Sequence, residues 1–215
     1  MRLLFVGPPG AGKGTQARRL ADEHGAAHFA SGDLLREAIA AGTALGVKAK
    51  EFVDRGDLVP DDVMIDLMGE RIAATDDAGY VLDGFPRTQV QAEVLDGLLA
   101  DMDKPLELAV QLVVPDDDIV DRLSGRRTCP TCQRAYHMRH DPPADDERCD
   151  DDGSSLERRS DDDPDTVRHR LVVYREQTEG MLDHYDRAGI LVRVDGVGAP
   201  DEIAERLCKA VEAGP

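Results

Sequence analysis

The most constraining stretch lies near the start of the chain. Residues 2–6, Arg-Leu-Leu-Phe-Val, form a short apolar run that reads as a buried strand. Gly7-Pro8-Pro9-Gly10-Ala11-Gly12-Lys13-Gly14-Thr15 follows at once, and residues 13–24 then carry Ala17, Leu20 and Ala21 at helical spacing. A strand, a turn with the G-x-x-x-x-G-K spacing and a helix, in that order, specify a phosphate-binding loop. Its glycines let successive backbone N–H groups turn inward as an anion nest. The helix N-terminus adds partial positive charge, and Lys13 adds a full one. The general motif puts Ser or Thr directly after the lysine. Here Gly14 stands there and Thr15 comes next, which weakens the case for a metal-holding hydroxyl beside Lys13.

Downstream, strand patterns recur over residues 27–29, 80–82, 108–114 and 190–194. Helical patterns cover 32–41, with Ser31 as N-cap, then 47–55, 60–74, 88–100, 116–124, 166–187 and 200–213. Alternating strands and helices specify an α/β fold: a three-layer architecture with a parallel five-stranded sheet covered by helices on both faces. Ligands of such folds lie beyond the carboxyl ends of the strands, which here means residues 7–15, 83–87 and the loop after Val194. Residues 125–162 break the pattern. They are rich in Cys, Pro, Asp and Gly and read as an inserted module.

The net charge of -18 repels nucleic acid and anionic membranes, so neither is expected as a partner. No apolar run approaches the roughly 18 residues of a membrane span. Residues 1–6 are too short for a signal peptide, so a cytoplasmic location is expected. Asp outnumbers Glu and Arg outnumbers Lys, a bias that suits either a GC-rich genome or a high-salt host. Any anionic substrate requires the cations to be concentrated, and Arg122, Arg126, Arg127, Arg159, Arg168 and Arg170 cluster in or beside the module. A guanidinium fork suits the task because it binds phosphate oxygens bidentately. Cys129-x-x-Cys132 followed by Cys149-x-x-Asp152 has zinc-ribbon spacing, with Asp152 in the fourth place and Asp150, Asp151, His137 and His140 as competitors. Cys208 falls in the apolar pattern of the last helix and reads as core.

Five further segments carry a resemblance: Ser31-Gly32-Asp33-Leu34-Leu35-Arg36, Gly56-Asp57-Leu58-Val59-Pro60, Asp83-Gly84-Phe85-Pro86-Arg87-Thr88 with Gln91, Gly125-Arg126-Arg127, and residues 165–171. With the G-x-P-G-x-G-K-G-T form of the phosphate loop, the chain resembles the adenylate kinases, nucleoside monophosphate kinases of the P-loop class, in their long-lid, zinc-type form. The resemblance runs from residue 1 to about 196. It implies reversible Mg²⁺-dependent transfer between ATP and AMP to give ADP, with structural Zn²⁺ in the lid. It implies a core (1–29, 60–124 and 163–215), an AMP-binding flap (30–59) and a lid (125–162), in a monomer.

By the same resemblance, Lys13, Asp83, Arg87, Arg126, Arg159 and Arg170 are the catalytic set. Gly10, Ala11, Gly12, Lys13, Gly14, Thr15, Arg126, Ala135, Tyr136 and Gly198 bind ATP, with Tyr136 near its ribose or base. Ser31, Arg36, Asp57, Leu58, Val59, Gly84, Phe85, Pro86, Arg87, Gln91, Arg159 and Arg170 bind AMP. Arg122 and Arg168 are secondary candidates, and Arg134, Arg139, Arg148 and Arg158 read as solvated. The AMP phosphate is already an anion and needs no general base, so His24, His28, His169 and His184 read as surface or satisfied core residues. Gly42, Gly46, Gly56 and Gly125 are hinge candidates. The rival reading is a UMP/CMP-type kinase, disfavoured by the long lid and by residues 83–87. A zinc-ribbon nucleic-acid module is disfavoured by the charge, and a sensor without turnover by the presence of Lys13, Asp83 and the arginines.

Overall fold

A computed structural model describes residues 1–75 and 79–215. Strand β1 (Arg2–Val6) leads through the phosphate loop into α1 (Lys13–His24), and β2 (Ala27–Ala30) precedes a pair of helices, α2 (Ser31–Ala40) and α3 (Ala44–Arg55). Then come α4 (Asp61–Ala73), β3 (Tyr80–Asp83), α5 (Gln89–Asp101), β4 (Leu108–Val113) and α6 (Asp116–Ser124). Short strands β5 (Arg126–Thr128) and β6 (Ala135–His137) open the cysteine-rich module. The chain closes with α7 (Pro164–Val173), α8 (Glu179–Arg187), β7 (Leu191–Asp195) and α9 (Pro200–Ala213).

The main sheet has the order β2-β3-β1-β4-β7 with every pairing parallel, as expected. Side chains alternate across it because successive residues of a strand face opposite sides. Leu4, Val6, Tyr80 and Leu82 pack with α4, α5 and α8, whereas Leu3, Phe5, Val81 and Val110 pack with α1, α6, α7 and α9. Both faces are therefore apolar, which explains why these strands read as continuous hydrophobic runs. The chain leaves β1 toward β2 and β3 on one side and later reaches β4 and β7 on the other, so the topological switch lies at β1. Register puts Phe5 beside Asp83 and Asp83 beside Ala30, so Gly7, Gly84 and Ser31 emerge together at one edge. Among the described residues no helix is long and apolar enough to cross a membrane.

Three local expectations are corrected. Ser31 is the first helical residue rather than the N-cap; Ala30 holds the cap position, and Ser31 Oγ donates to Gly84 O at 2.7 Å instead. The second helix of the pair starts at Ala44, because Thr43 Oγ1 caps Gly46 N at 3.0 Å. The long helix expected over 166–187 contains a π-turn at Tyr174–Thr178. Two of the four hinge candidates, Gly46 and Gly125, are tightly packed. A Cβ on Gly46 would lie 2.0 Å from Ala38 O and one on Gly125 2.4 Å from His137 Nε2, so both are close-packing positions. The module has its own small core of Cys129, Tyr136, Cys149 and Leu156.

Candidate active site

The phosphate loop is held tightly from behind. A Cβ on Gly7 would sit 2.8 Å from Leu112 O, and one on Gly10 2.8 Å from Leu123 Cγ, and both residues have positive φ (153° and 80°). Gly12 caps α1 without a side-chain hydrogen bond, which leaves the first-turn N–H groups for an anion. Lys13 Nζ donates to Gly7 O at 2.7 Å and Pro8 O at 2.9 Å. Burial pushes its ammonium down to about 8; Asp83 opposes this, while Arg87, Arg170 and Arg126 add to it. A Cβ on Gly14 would lie 3.1 Å from Asp83 Oδ2, so the departure from the general motif is coupled to a carboxylate brought up by β3. Thr15 is exposed on the first turn.

A second pocket adjoins this loop. Ser31, Arg36, Asp57, Leu58, Val59, Gly84, Phe85, Arg87, Gln91 and Arg170 all line it, while Pro86 lines the neighbouring cavity with Lys13. The two spaces share Gly84, Arg87 and Arg170. Arg87 Nε donates to Gly84 O at 2.6 Å. Gln91 Oε1 accepts from Arg87 N at 2.7 Å.

The cations converge from three parts of the chain. Arg126 Nε pairs with Asp162 at 2.8 Å, and Arg170 Nη1 with Asp161 at 2.7 Å. Asp33 collects Arg36 from its own helix, Arg18 from α1 at 3.5 Å and Arg159 from the end of the module at 3.8 Å. Burial, with neighbouring guanidinium groups, pushes Arg87 down to about 10 and Arg159 to about 9, and burial pushes Arg170 down too. Guanidinium groups stay protonated at neutral pH, so these buried cations lie where a bound anion would stabilise them. Burial opposes ionisation of Asp161, yet Arg170, Arg126, Arg36 and Arg159 hold its carboxyl below the usual range. Asp161 and Asp162 were missed in the sequence, where they merge into an acidic run; the available signal was Arg159 two residues before them.

The remaining candidates divide. Arg122 donates to Ala11 O at 3.3 Å and Gly196 O at 2.8 Å, tying the phosphate loop to the loop after β7. Gly198 lies in that same loop with φ of 123°. Arg168 is not brought in; it is exposed and pairs with Asp165. Ala135 is exposed, but the Tyr136 ring is buried in the module core, where its hydroxyl accepts from Asp150 N at 2.8 Å. Its side chain therefore packs inside the module, with Cys129, Cys149 and Leu156. Arg134, expected to be solvated, lies over that ring 4.9 Å from its centroid and pairs with Asp151. Among the histidines, His169 and His184 contact Asp57 and Asp96 at 2.7 and 2.6 Å. His28 is not satisfied: among the described residues its buried Nε2 has no hydrogen-bond partner, and Asp83 Oδ2 lies 3.9 Å away.

The module brings Cys129, Cys132, Cys149 and Asp152 together, with one ligand atom from each lying within 4.8 Å of the others. Cys132 and Cys149 Sγ are 3.5 Å apart, and Cys129 Sγ is 3.3 Å from an Asp152 oxygen. Tetrahedral zinc with bonds of about 2.3 Å separates its sulfur ligands by about 3.8 Å, so the donor set and spacing fit that ion.

Comparison with known proteins agrees with this geometry. The family model described as adenylate kinase matches residues 5–190. A relative from Thermodesulfovibrio yellowstonii, named adenylate kinase, is 49% identical over 99% of both chains. One of the same name from Archaeoglobus fulgidus is 48% identical over 99% of this chain and 97% of its own, and one from Carboxydothermus hydrogenoformans 45% over 99% and 100%. With a phosphate loop, an adjoining arginine-lined pocket and a family match across most of its length, the chain belongs to the adenylate kinase family.

Proposed function

We propose that this chain catalyses ATP + AMP ⇌ 2 ADP between the phosphate loop and the pocket that adjoins it. Family membership makes it a nucleoside monophosphate kinase, a phosphotransferase. The observation that carries the assignment of the site is that Arg87 and Arg170 line both spaces at once, where a donor and an acceptor phosphate would meet.

An oxygen of the AMP phosphate attacks the γ-phosphorus of ATP. The bond to the β–γ bridging oxygen breaks, and that oxygen leaves as part of ADP. The nucleophile is already anionic, so alignment and charge stabilisation carry the catalysis. The phosphate-loop N–H groups and Lys13 hold the ATP tail, with Arg126 over it. Ser31, Arg36 and Arg87 hold the AMP phosphate, and Arg159 and Arg170 follow the phosphoryl group in transit. Gln91 and the backbone of residues 57–59 and 84–85 read the adenine. Gly10, Ala11, Gly12, Gly14 and Thr15 contact ATP from the loop, Gly198 and the backbone of residues 135–136 contact its nucleoside, and Pro86 shapes the acceptor wall.

When bound with ATP, Mg²⁺ neutralises phosphate charge; Asp83, between Lys13 and Gly14, has the hard carboxylate that ion prefers. Cys129, Cys132, Cys149 and Asp152 would hold a structural zinc that cross-links the module. Residues 30–59 act as an AMP flap and 125–162 as a lid on a core of 1–29, 60–124 and 163–215, closing to exclude water as a competing acceptor. The protein works as a cytoplasmic monomer, without nucleic-acid or membrane partners. A coupled assay presenting AMP, CMP, GMP and UMP in turn with Mg-ATP tests the assignment. AMP is expected to exceed the others about 100-fold or more in kcat/KM; equal turnover of UMP or CMP would overturn it.

A further inference from the structure

Asp61, the first residue of α4, belongs to none of the motifs above, yet both its carboxylate oxygens are used. Oδ1 accepts from Gln91 Nε2 at 2.8 Å and Oδ2 accepts from Thr88 Oγ1 at 3.2 Å. Thr88 is the N-cap of α5, and its Oγ1 in turn accepts from Gln91 N at 3.2 Å. On the far side of the amide, Gln91 Oε1 accepts from Arg87 N at 2.7 Å. Gln91 is 2% exposed and lines the acceptor pocket.

An ionised carboxylate only accepts hydrogen bonds and a backbone N–H only donates them. The Gln91 amide therefore cannot flip without setting its oxygen against Asp61 and its N–H against that of Arg87. Once those two bonds are made, one Nε2 hydrogen and one Oε1 lone pair remain. A 6-amino purine presents an acceptor at N1 and a donor at N6; a 6-oxo purine presents a donor at N1 and an acceptor at O6. A freely flipping glutamine would serve both, whereas an amide held in one orientation suits one and opposes the other.

We infer that Asp61 is a positioning residue that fixes the polarity of the Gln91 amide and so sets the preference of the acceptor site for 6-amino over 6-oxo purine nucleotides. This rests on the proposal that Gln91 reads the base. Asparagine or serine at position 61 can both donate and accept, so either removes one of the two locks.

The test measures kcat/KM for AMP and for inosine monophosphate in Asp61→Asn, Asp61→Ser, Asp62→Asn and Gln91→Ala. The AMP-to-IMP ratio is expected to fall about five- to tenfold in the two Asp61 variants. It should hold in Asp62→Asn, which removes the same charge from the same helix start at an exposed position. It should collapse in Gln91→Ala. A merely structural role for Asp61 would lower both substrates together and leave the ratio alone. An unchanged ratio in both Asp61 variants with a collapse in Gln91→Ala would overturn the inference. An unchanged ratio in Gln91→Ala would overturn the adenine reading itself, and the inference with it.

Discussion

At Lys13 two demands collide: a phosphate needs its charge, and its buried site disfavours that charge. Burial pushes the ammonium from 10.5 down to about 8. Between these values the unfolded chain binds more protons than the native one, so stability rises with pH there. The cost of the buried charge is present in full below pH 8 and fades as pH climbs toward 10.5. A bound polyphosphate requires the protonated form, so its affinity must fall as pH rises through about 8. Calorimetric titration with a bisubstrate dinucleotide, two adenosines joined by five phosphates, is expected to show that fall, and Lys13→Met to lose it. Lys13→Ala or Arg87→Ala is expected to lower kcat about 100-fold or more, read by a coupled assay. Much of this was legible in the sequence, because a phosphate loop is a local device: Gly7 to Lys13 specify their own conformation. Asp61, Asp161 and Asp162 were not legible. Their partners come from 30, 9 and 36 residues away, and only docking of separate elements brings them together.

Among the elements, the α2–α3 pair and the cysteine module test the packing most sharply. Gly46 and Gly97 both sit inside helices, but a Cβ on Gly46 meets Ala38 O whereas one on Gly97 meets nothing within 4 Å. Gly97→Ala should therefore stabilise by about 0.5–1 kcal/mol from helix propensity. Gly46→Ala should destabilise by about 2 kcal/mol or more as the two helices separate; thermal melts of the two variants check both signs. The module buries only four side chains in its core, too little to hold a fold alone. Metal analysis is expected to find one zinc per chain. Chelation or Cys149→Ser should lower Tm while leaving kcat well below the melting range close to wild type. Strand and helix positions of the core were legible because their apolar periods are long and regular. The β5–β6 hairpin was not, since three-residue strands carry no readable alternation. The π-turn at Tyr174–Thr178 was likewise hidden, because one slipped hydrogen-bond step barely disturbs a 3.6-residue period.

Across the whole molecule, a chain of net charge -18 binds two polyanions by gathering arginines from distant parts of the sequence into one cavity. Asp33 is the junction: arginines from α1, α2 and the end of the module meet on its carboxylate. Their convergence is what the fold contributes, since it needs the phosphate loop at the sheet's switch point and two inserted segments folded toward it. Under the proposed function, this arginine cluster spans both phosphate chains. Crystals of the enzyme with the same bisubstrate dinucleotide test it most directly. The expected density places its phosphates within hydrogen-bond reach of the phosphate-loop N–H groups, Lys13, Arg87 and Arg170 together; phosphates lying outside the loop at residues 7–15 would contradict it.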